Sequence, residues 1–446
     1  MSLLKQEGNR QTFFGMGDDK MAPASGRTQP AALRRRAVAC MYSKAYFQAL
    51  ARLPVHRQRE RMTLALLEAC FPAGSLSQYL QLLAPTLATR TQLQAFHSRD
   101  YVDALHEFGG GNSFVEDTKM SVAQKKARQQ QLSDFELVDD AYVFPGLFDY
   151  CSYVAGATLT AVDALLHLMG SQSDTQVPLP PVAINMGGGR HHAMRSQASG
   201  FCYVNDVVLG VQRLLTKGNI QRVLCVDIDV HHGDGTQGAF YFSEKVTTVS
   251  FHLFERGFFP GTGAATEVGE GRGKHNNINV PLQRGITDSQ FHEIFASIVG
   301  KAAELVQPEA LVLVCGVDTL ARDALGGFNL TSDGICACVG SMMALTLPML
   351  LLGAGGYSGA DASKCFAAVV ATVMGQREAL PDRIPEHDFY EEYGCVVATM
   401  PVIHRPNQNT TVSLADTRDQ AIATLESAAE IRSNRKQQEV SQKRKR

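Results

Sequence analysis

The densest chemistry in the chain is the run DIDVHHGDG, residues 227–235. In an extended segment, side chains two apart share a face, so Asp229 and His231 point the same way. A carboxylate oxygen and an imidazole nitrogen suit Zn²⁺, and ferrous iron takes the same donors. Asp318, at the end of a separate apolar run, offers a third ligand. Three protein ligands with a fourth position open is the pattern of a catalytic zinc. Such a metal lowers the pKa of water to about 7 and polarises a carbonyl. The alternative is a metal-free cluster of buried ion pairs, which would bury three polar groups with no catalytic return.

Hydrolysis of an amide also needs a base for the water and an acid for the leaving amine. His191 and His192 are adjacent, so in extended chain they would point apart. The preceding Gly187-Gly188-Gly189 lets the loop bend until both face the site. Asp227 and Asp234 are the carboxylates placed to accept an N–H from each imidazole and so set tautomer and basicity. Tyr357 follows Gly355-Gly356, a turn that brings its phenol close; there it can donate to a developing oxyanion. An ordinary core tyrosine is the bland reading. Gly200-Phe201 and Phe258-Phe259-Pro260 flank this chemistry. Their rings can wall a narrow apolar tube, or simply pack in a core.

These groups need a scaffold that delivers them to one place. VAINM (182–186), VLCVDID (223–229), VTTVSF (246–251), ALVLVCGVD (310–318) and PMLLLGAGG (348–356) are apolar runs without polar alternation. That pattern predicts strands buried on both faces, as in a parallel sheet. Helical spacing covers Asn205 to Lys217 and Asp288 to Val306, the latter with Thr287 or Asp288 as N-cap. Strand and helix alternate, so the fold class is α/β, a mainly parallel sheet of about eight strands with helices on both faces. Ligands bind beyond the carboxyl ends of such strands. Four of these runs end in acid, imidazole or phenol groups.

The domain is expected over 37–425, after a polar segment at 1–36. Residues 109–134 and 170–181 read as surface loops, and 426–446 as a basic tail ending KRKR. That tail carries either a nuclear-import signal or nothing but solvated charge. Net charge is −2, which excludes polyanion binding by bulk charge, so no direct nucleic-acid partner is expected. No N-terminal apolar region marks a secretory signal. The longest apolar stretch, Met342 to Leu352, is broken by Pro348 and too short for a bilayer, so no membrane role is expected. Ten scattered cysteines without a C-x-x-C read as buried thiols, with Cys336 and Cys338 packed on a helix.

GGGRHHA, ASGFCYVND, VDIDVHHGDG, GFFPGTG, GVDTL and LGAGGY resemble, in order and spacing, the motif set of the zinc-dependent histone deacetylases of the arginase-like superfamily. IPEHDFYEEYG with RPNQNT resembles the class I branch. The resemblance covers roughly 38–430. It implies zinc at Asp229, His231 and Asp318, the pair His191 and His192, and Tyr357 as oxyanion donor. It implies Phe201 and Phe259 as tunnel walls, Leu325 at the rim, and Asp140 as the acid that grips the substrate backbone. Arg59 matches the family arginine near the acetate exit. Potassium beside the zinc would use Asp227, Asp229, His231, Ser250 and Phe251, mostly through backbone oxygens. A second potassium would involve Phe240, Ser243 and Val246.

Three positions depart from that pattern. Arg190 stands where the family has an apolar residue and changes the inner acetate pocket. Asn276 replaces a tyrosine at the second potassium site. Ala324 replaces the arginine that corepressor-bound class I enzymes use for inositol phosphate. The implied activity is hydrolysis of N6-acetyl-lysine in protein tails, histones among them. Acetylated polyamines are a second substrate class for the same fold, and a catalytically silent scaffold is a third reading.

Overall fold

A computed structural model describes residues 36–56, 58–72, 74–110, 120–171, 179–394 and 405–444. Among them eight strands form one sheet. They are β1 (Val38–Met41), β2 (Gln81–Leu83), β3 (Val182–Asn185), β4 (Val223–Asp227), β5 (Val246–Leu253), β6 (Asn277–Leu282), β7 (Ala310–Val314) and β8 (Met349–Leu352). Their order is β2-β1-β3-β8-β7-β4-β5-β6, and every pairing is parallel. The five strands expected from apolar runs all form. β1, β2 and β6 escaped that reading for physical reasons. β1 and β2 are only four and three residues long, and β6 contains Asn277, Asn279 and Pro281.

Helices cover both faces, as an all-parallel sheet requires. Leu147–Gly170 packs on β1, β3 and the helix Asp206–Lys217. A second series, Asp288–Val306, Ser332–Ala344, Gly359–Val373 and Arg59–Cys70, packs one against the next. Leu147–Gly170 is long and apolar enough to cross a membrane by length and composition. Here it is a core helix, with Val154, Ala155, Ala161 and Val162 fully buried. Cys336 and Cys338 sit on Ser332–Ala344 and are buried free thiols, as are most of the described cysteines; Cys395 lies outside the described residues.

Two expectations at the edges of the domain are corrected. The stretch 109–134 is not loop throughout: Val122–Asp134 is a helix. Residues 111–119 lie outside the described residues. Only Leu132 of that helix is buried, so it has no apolar stripe to betray it. The overlooked signal was local. Ser121 accepts from the Gln124 N–H, and the Gln124 side chain accepts from the Ser121 N–H, a capping box. At the other end, no boundary falls at 425. One helix runs Thr411–Arg444 and packs on Asp288–Val306 and β6. Ala421, Leu425 and Ala428 make its buried stripe. The 1–36 segment, apart from residue 36, and the last two residues of KRKR lie outside the described residues.

The strands that carry chemistry are neighbours. β3, β8, β7 and β4 are the four central strands, side by side. Their carboxyl ends therefore open on one crevice. Asn205 ties a helix to that crevice. Its Oδ1 accepts from the Val208 N–H at 3.0 Å and caps Asp206–Lys217. Its Nδ2 donates to the carbonyls of His191 and Ala193 at 3.2 and 3.0 Å. Asn205→Ala removes a cap worth about 1 kcal/mol and takes the donor from the buried Ala193 carbonyl, at about 1–3 kcal/mol, while the His191 carbonyl keeps the Thr236 N–H at 3.0 Å. We expect urea titration to show a loss of about 2–4 kcal/mol of unfolding free energy. A loss below about 0.5 kcal/mol would mean that these bonds are energetically idle.

Candidate metal centre and active site

Asp229 and His231 leave the end of β4, and Asp318 leaves the end of β7, its sheet neighbour. One ligand atom from each lies within 4.8 Å of the others, and all three residues are buried. His231 Nδ1 stands 3.1 Å from Asp229 Oδ1 and 3.0 Å from Asp318 Oδ2. Two oxygens and one nitrogen thus converge on a point, and the donor set fits a divalent metal with a position to spare. Glycine is required around it. A Cβ on Gly355 would come within 2.0 Å of Asp318 Oδ2. The Gly355 N–H instead donates to Asp229 Oδ2 at 2.7 Å, fixing that carboxylate from behind.

The electrostatics are those of a site waiting for a cation. Burial and the Asp229 charge push the Asp318 carboxyl up to about 8. Burial works against the charge on His231, but the two carboxylates outweigh it and hold the imidazole at about 10.

The His pair does face inward together. Gly189 takes φ +86°, and the two rings come to 4.0 Å. His191 Nδ1 lies 2.6 Å from Asp227 Oδ2, and His192 Nδ1 lies 2.8 Å from Asp234 Oδ1. The environments then divide the pair. Burial disfavours a charge on His191, but Asp227 and Asp229 overcome it and raise the ring to about 9. Burial and the neighbouring His191 lower His192 to about 4. One ring is a proton donor and the other a free base, side by side, which is what acid and base steps on one substrate require.

Aromatic residues surround the opening. Phe258 stacks on His231 at 5.1 Å, and Phe259 meets His192 edge-on at 4.9 Å. Phe201 lies 5.9 Å from the Tyr357 ring. A Cβ on Gly200 would come within 2.8 Å of the Phe259 ring, so glycine is what lets the two approach. Phe259 and Leu325 are 40% and 41% exposed. Asp140 is exposed beside Gly200, in a short turn at Asp139–Ala141. Burial and the Asp139 charge raise its carboxyl.

Tyr357 is 6.4 Å from His231, ring to ring. Burial and the nearby Asp318 and Asp229 carboxylates keep its phenol protonated. Arg59 is fully buried beneath it and donates to the carbonyls of Gly356 and Ala354. Arg190 is also buried, with Nη2 on the Gly187 carbonyl at 3.0 Å. Sequence reading missed two residues here. Asp206 accepts from the Arg190 and Gly189 N–H groups at 2.7 and 3.0 Å and holds the loop before the His pair. His56 stacks on Tyr357 at 6.4 Å, and burial lowers it well below the usual range. Asp206 was visible within the ASGFCYVND motif; His56 had no local signal.

The positions matched to potassium are spatially consistent with one site. β4 and β5 pair Asp227 with Ser250, and Phe251 is the next residue. At the second position set, Phe240, Ser243 and Val246 run along one short stretch before and into β5. There the Arg432 guanidinium donates to Asn276 Oδ1 at 2.7 Å.

A buried triad that could hold a metal ion, a His pair and a phenol gather at the carboxyl edge of a parallel sheet, an arrangement suited to metal-assisted hydrolysis. Residues 53–373 match the histone deacetylase domain. Histone deacetylase 8 of Danio rerio is 39% identical over 363 residues, which is 81% of this chain and 87% of that protein. Histone deacetylase 9 of Arabidopsis thaliana is 39% identical over 354 residues, 79% of this chain and 77% of that protein. Histone deacetylase 1 of Homo sapiens is 38% identical over 319 residues, 72% and 61% of the two chains. The chain belongs to the histone deacetylase family, close to class I, and is a hydrolase acting on amide bonds.

Metal ligands must shed their protons to bind. His231 and Asp318, held at about 10 and about 8, are wholly and partly protonated in metal-free protein at pH ~8. Zinc titrated by calorimetry at that pH should release at least about one proton per ion, read from buffers of different ionisation enthalpy. Heat independent of buffer would refute the charge state given to the triad.

Proposed function

We propose that this protein removes the acetyl group from N6-acetyl-lysine in protein tails, histone tails among them. The observation that carries the reading is the meeting of Asp229, His231 and Asp318 beside a His pair with opposed proton affinities. Zinc, or ferrous iron, held by the three ligands would supply Lewis acidity toward water and carbonyl. The rest is done by the chain's own side chains. Phe201 and Phe259, with Gly200 between them, sheathe the four methylenes of the lysine. Asp140 accepts from the substrate backbone at the mouth. His192, neutral and oriented by Asp234, takes the proton of the attacking water. His191, cationic and held by Asp227, gives a proton to the departing amine. Tyr357 donates its phenol hydrogen to the carbonyl oxygen as negative charge gathers there. Arg59 braces the loop under that phenol, and Arg190 adds a second buried cation toward the acetate side.

We assign a structural potassium to Asp227, Asp229, His231, Ser250 and Phe251. The register that pairs Asp227 with Ser250 supports it. A nuclear location fits the basic end of the chain. Partner complexes of the inositol-phosphate type are not expected, because Ala324 cannot contact phosphate as an arginine does.

The zinc-restored protein should release acetate from an acetyl-lysine peptide, and faster than from acetylspermidine. Metal-loaded protein that frees no acetate from about pH 6 to about pH 9 would end the deacetylase reading. Tyr357→Phe should lower kcat about 100- to 1000-fold with metal content unchanged. An undiminished rate would remove the phenol from the scheme.

A further inference from the structure

We propose that Asp323 is a positioning residue that holds the Tyr357 phenol in place by clamping the backbone of its loop to the loop after β7. The inference rests on the role given to Tyr357 above. Tyr357 follows Ala354 at φ +103°, then Gly355 and Gly356, the last at φ +132°. Two glycines offer no side chain to pack, so the ring's position must be set by something outside the loop. Asp323 supplies it. Its Oδ2 accepts from the Tyr357 N–H at 2.7 Å and the Ser358 N–H at 3.4 Å. Its Oδ1 accepts from the Leu325 N–H at 2.9 Å. One buried carboxylate therefore joins the phenol's own peptide to the rim residue Leu325.

The clamp is itself anchored. The Asp323 N–H donates to the Leu320 carbonyl at 3.0 Å. Arg405 donates to the Asp323 carbonyl at 3.1 Å, to the Phe328 carbonyl at 3.0 Å and to the Ala321 carbonyl. Arg322, one residue before the clamp, pairs at 3.1 Å with Asp361 in the first turn of the helix that follows Tyr357. The two loops are thus stitched on both sides of the phenol. The metal ligand Asp318 belongs to the same loop as Asp323, so the clamp also fixes the phenol relative to the ion.

A carboxylate is needed, and not merely a polar group. It is acceptor-only and offers two oxygens to donors approaching from different loops. An asparagine keeps one oxygen and sets an NH₂ either against the Tyr357 and Ser358 N–H groups or against the Leu325 N–H. Asp323→Asn should therefore free either Tyr357 or Leu325 with almost no change in volume.

Three measurements test this. In Asp323→Asn, backbone hydrogen exchange at Leu325 or over 355–358 should quicken by about tenfold or more, while exchange of β7 and β8 stays as in the parent. In turnover, kcat should fall about 30-fold or more with KM within about threefold. In the Tyr357→Phe background the same change should cost less than about threefold, because the group it positions is already gone. Equal losses in both backgrounds, or unaltered exchange, would overturn the proposal. Should the parent protein show no turnover, the deacetylase reading falls, and the exchange measurement still decides the clamp. Should Asp323→Asn not fold, Asp323→Ser, with one acceptor and no opposing amide, takes its place in the same assays.

Discussion

Two carboxylates buried side by side are the constraint around which this molecule is arranged. Asp229 and Asp318 sit in an interior where like charges repel strongly and water cannot screen them. Burial raises Asp229, but His191 and His231 outweigh it and keep Asp229 ionised, while Asp318 is left near 8. Without metal, the protonated His231 relieves the pair in part, and its Nδ1, 3.1 and 3.0 Å from the two carboxylates, marks where a divalent cation would be held. The architecture around them follows from holding this arrangement against its own repulsion. The ends of β4 and β7 bring the three ligands together. Gly355 donates its N–H from behind, and the absence of a Cβ there leaves the space the carboxylates occupy.

The second consequence is the division of labour in the His pair. Adjacent imidazoles that both faced ordinary solvent would titrate alike. Here a carboxylate stands behind each, but His191 also feels Asp229, and the charge it acquires depresses His192. Asp229 thus acts on the proton affinity of His191 as well as on the triad. Removing the Asp227 contact would not only loosen a ring; it would narrow the difference in proton affinity between the two, whereas removing Asp234 would lower His192 further.

The positions at which the sequence departs from the pattern it resembles take definite partners in the structure. Arg190 is a buried guanidinium in the loop before the His pair, braced by the Gly187 carbonyl. Asn276 is engaged by Arg432, a residue of the C-terminal helix, and Arg435 of the same helix pairs with Glu244 at 2.9 Å. The C-terminal helix is therefore part of the domain's charge arrangement near the second potassium positions. An exposed helix, Val122–Asp134, precedes the turn that carries Asp140, so the entrance differs from a plain loop.

Much of the chemistry was legible in the one-dimensional order. Alternation along an extended chain placed Asp229 and His231 on one side, and apolar runs without polar alternation declared parallel strands. Four of the five runs end in polar groups that the structure gathers in one crevice, and such groups closing a buried strand are costly unless used. The three-residue β2, the polar β6 and the stripeless helix at 122–134 lack the hydrophobic pattern that is the signal, while β1, VACM, carries it and escaped only as a short run. What only the tertiary structure decided was adjacency. That β3, β8, β7 and β4 lie side by side, and so focus four strand ends on one crevice, depends on pairings between distant residues, Val182 with Met349 and Val223 with Ala310 among them. Asp323 shows the same limit: its partners at 357 and 358 are far along the chain, and no local pattern marks a carboxylate whose ligands are another loop's backbone.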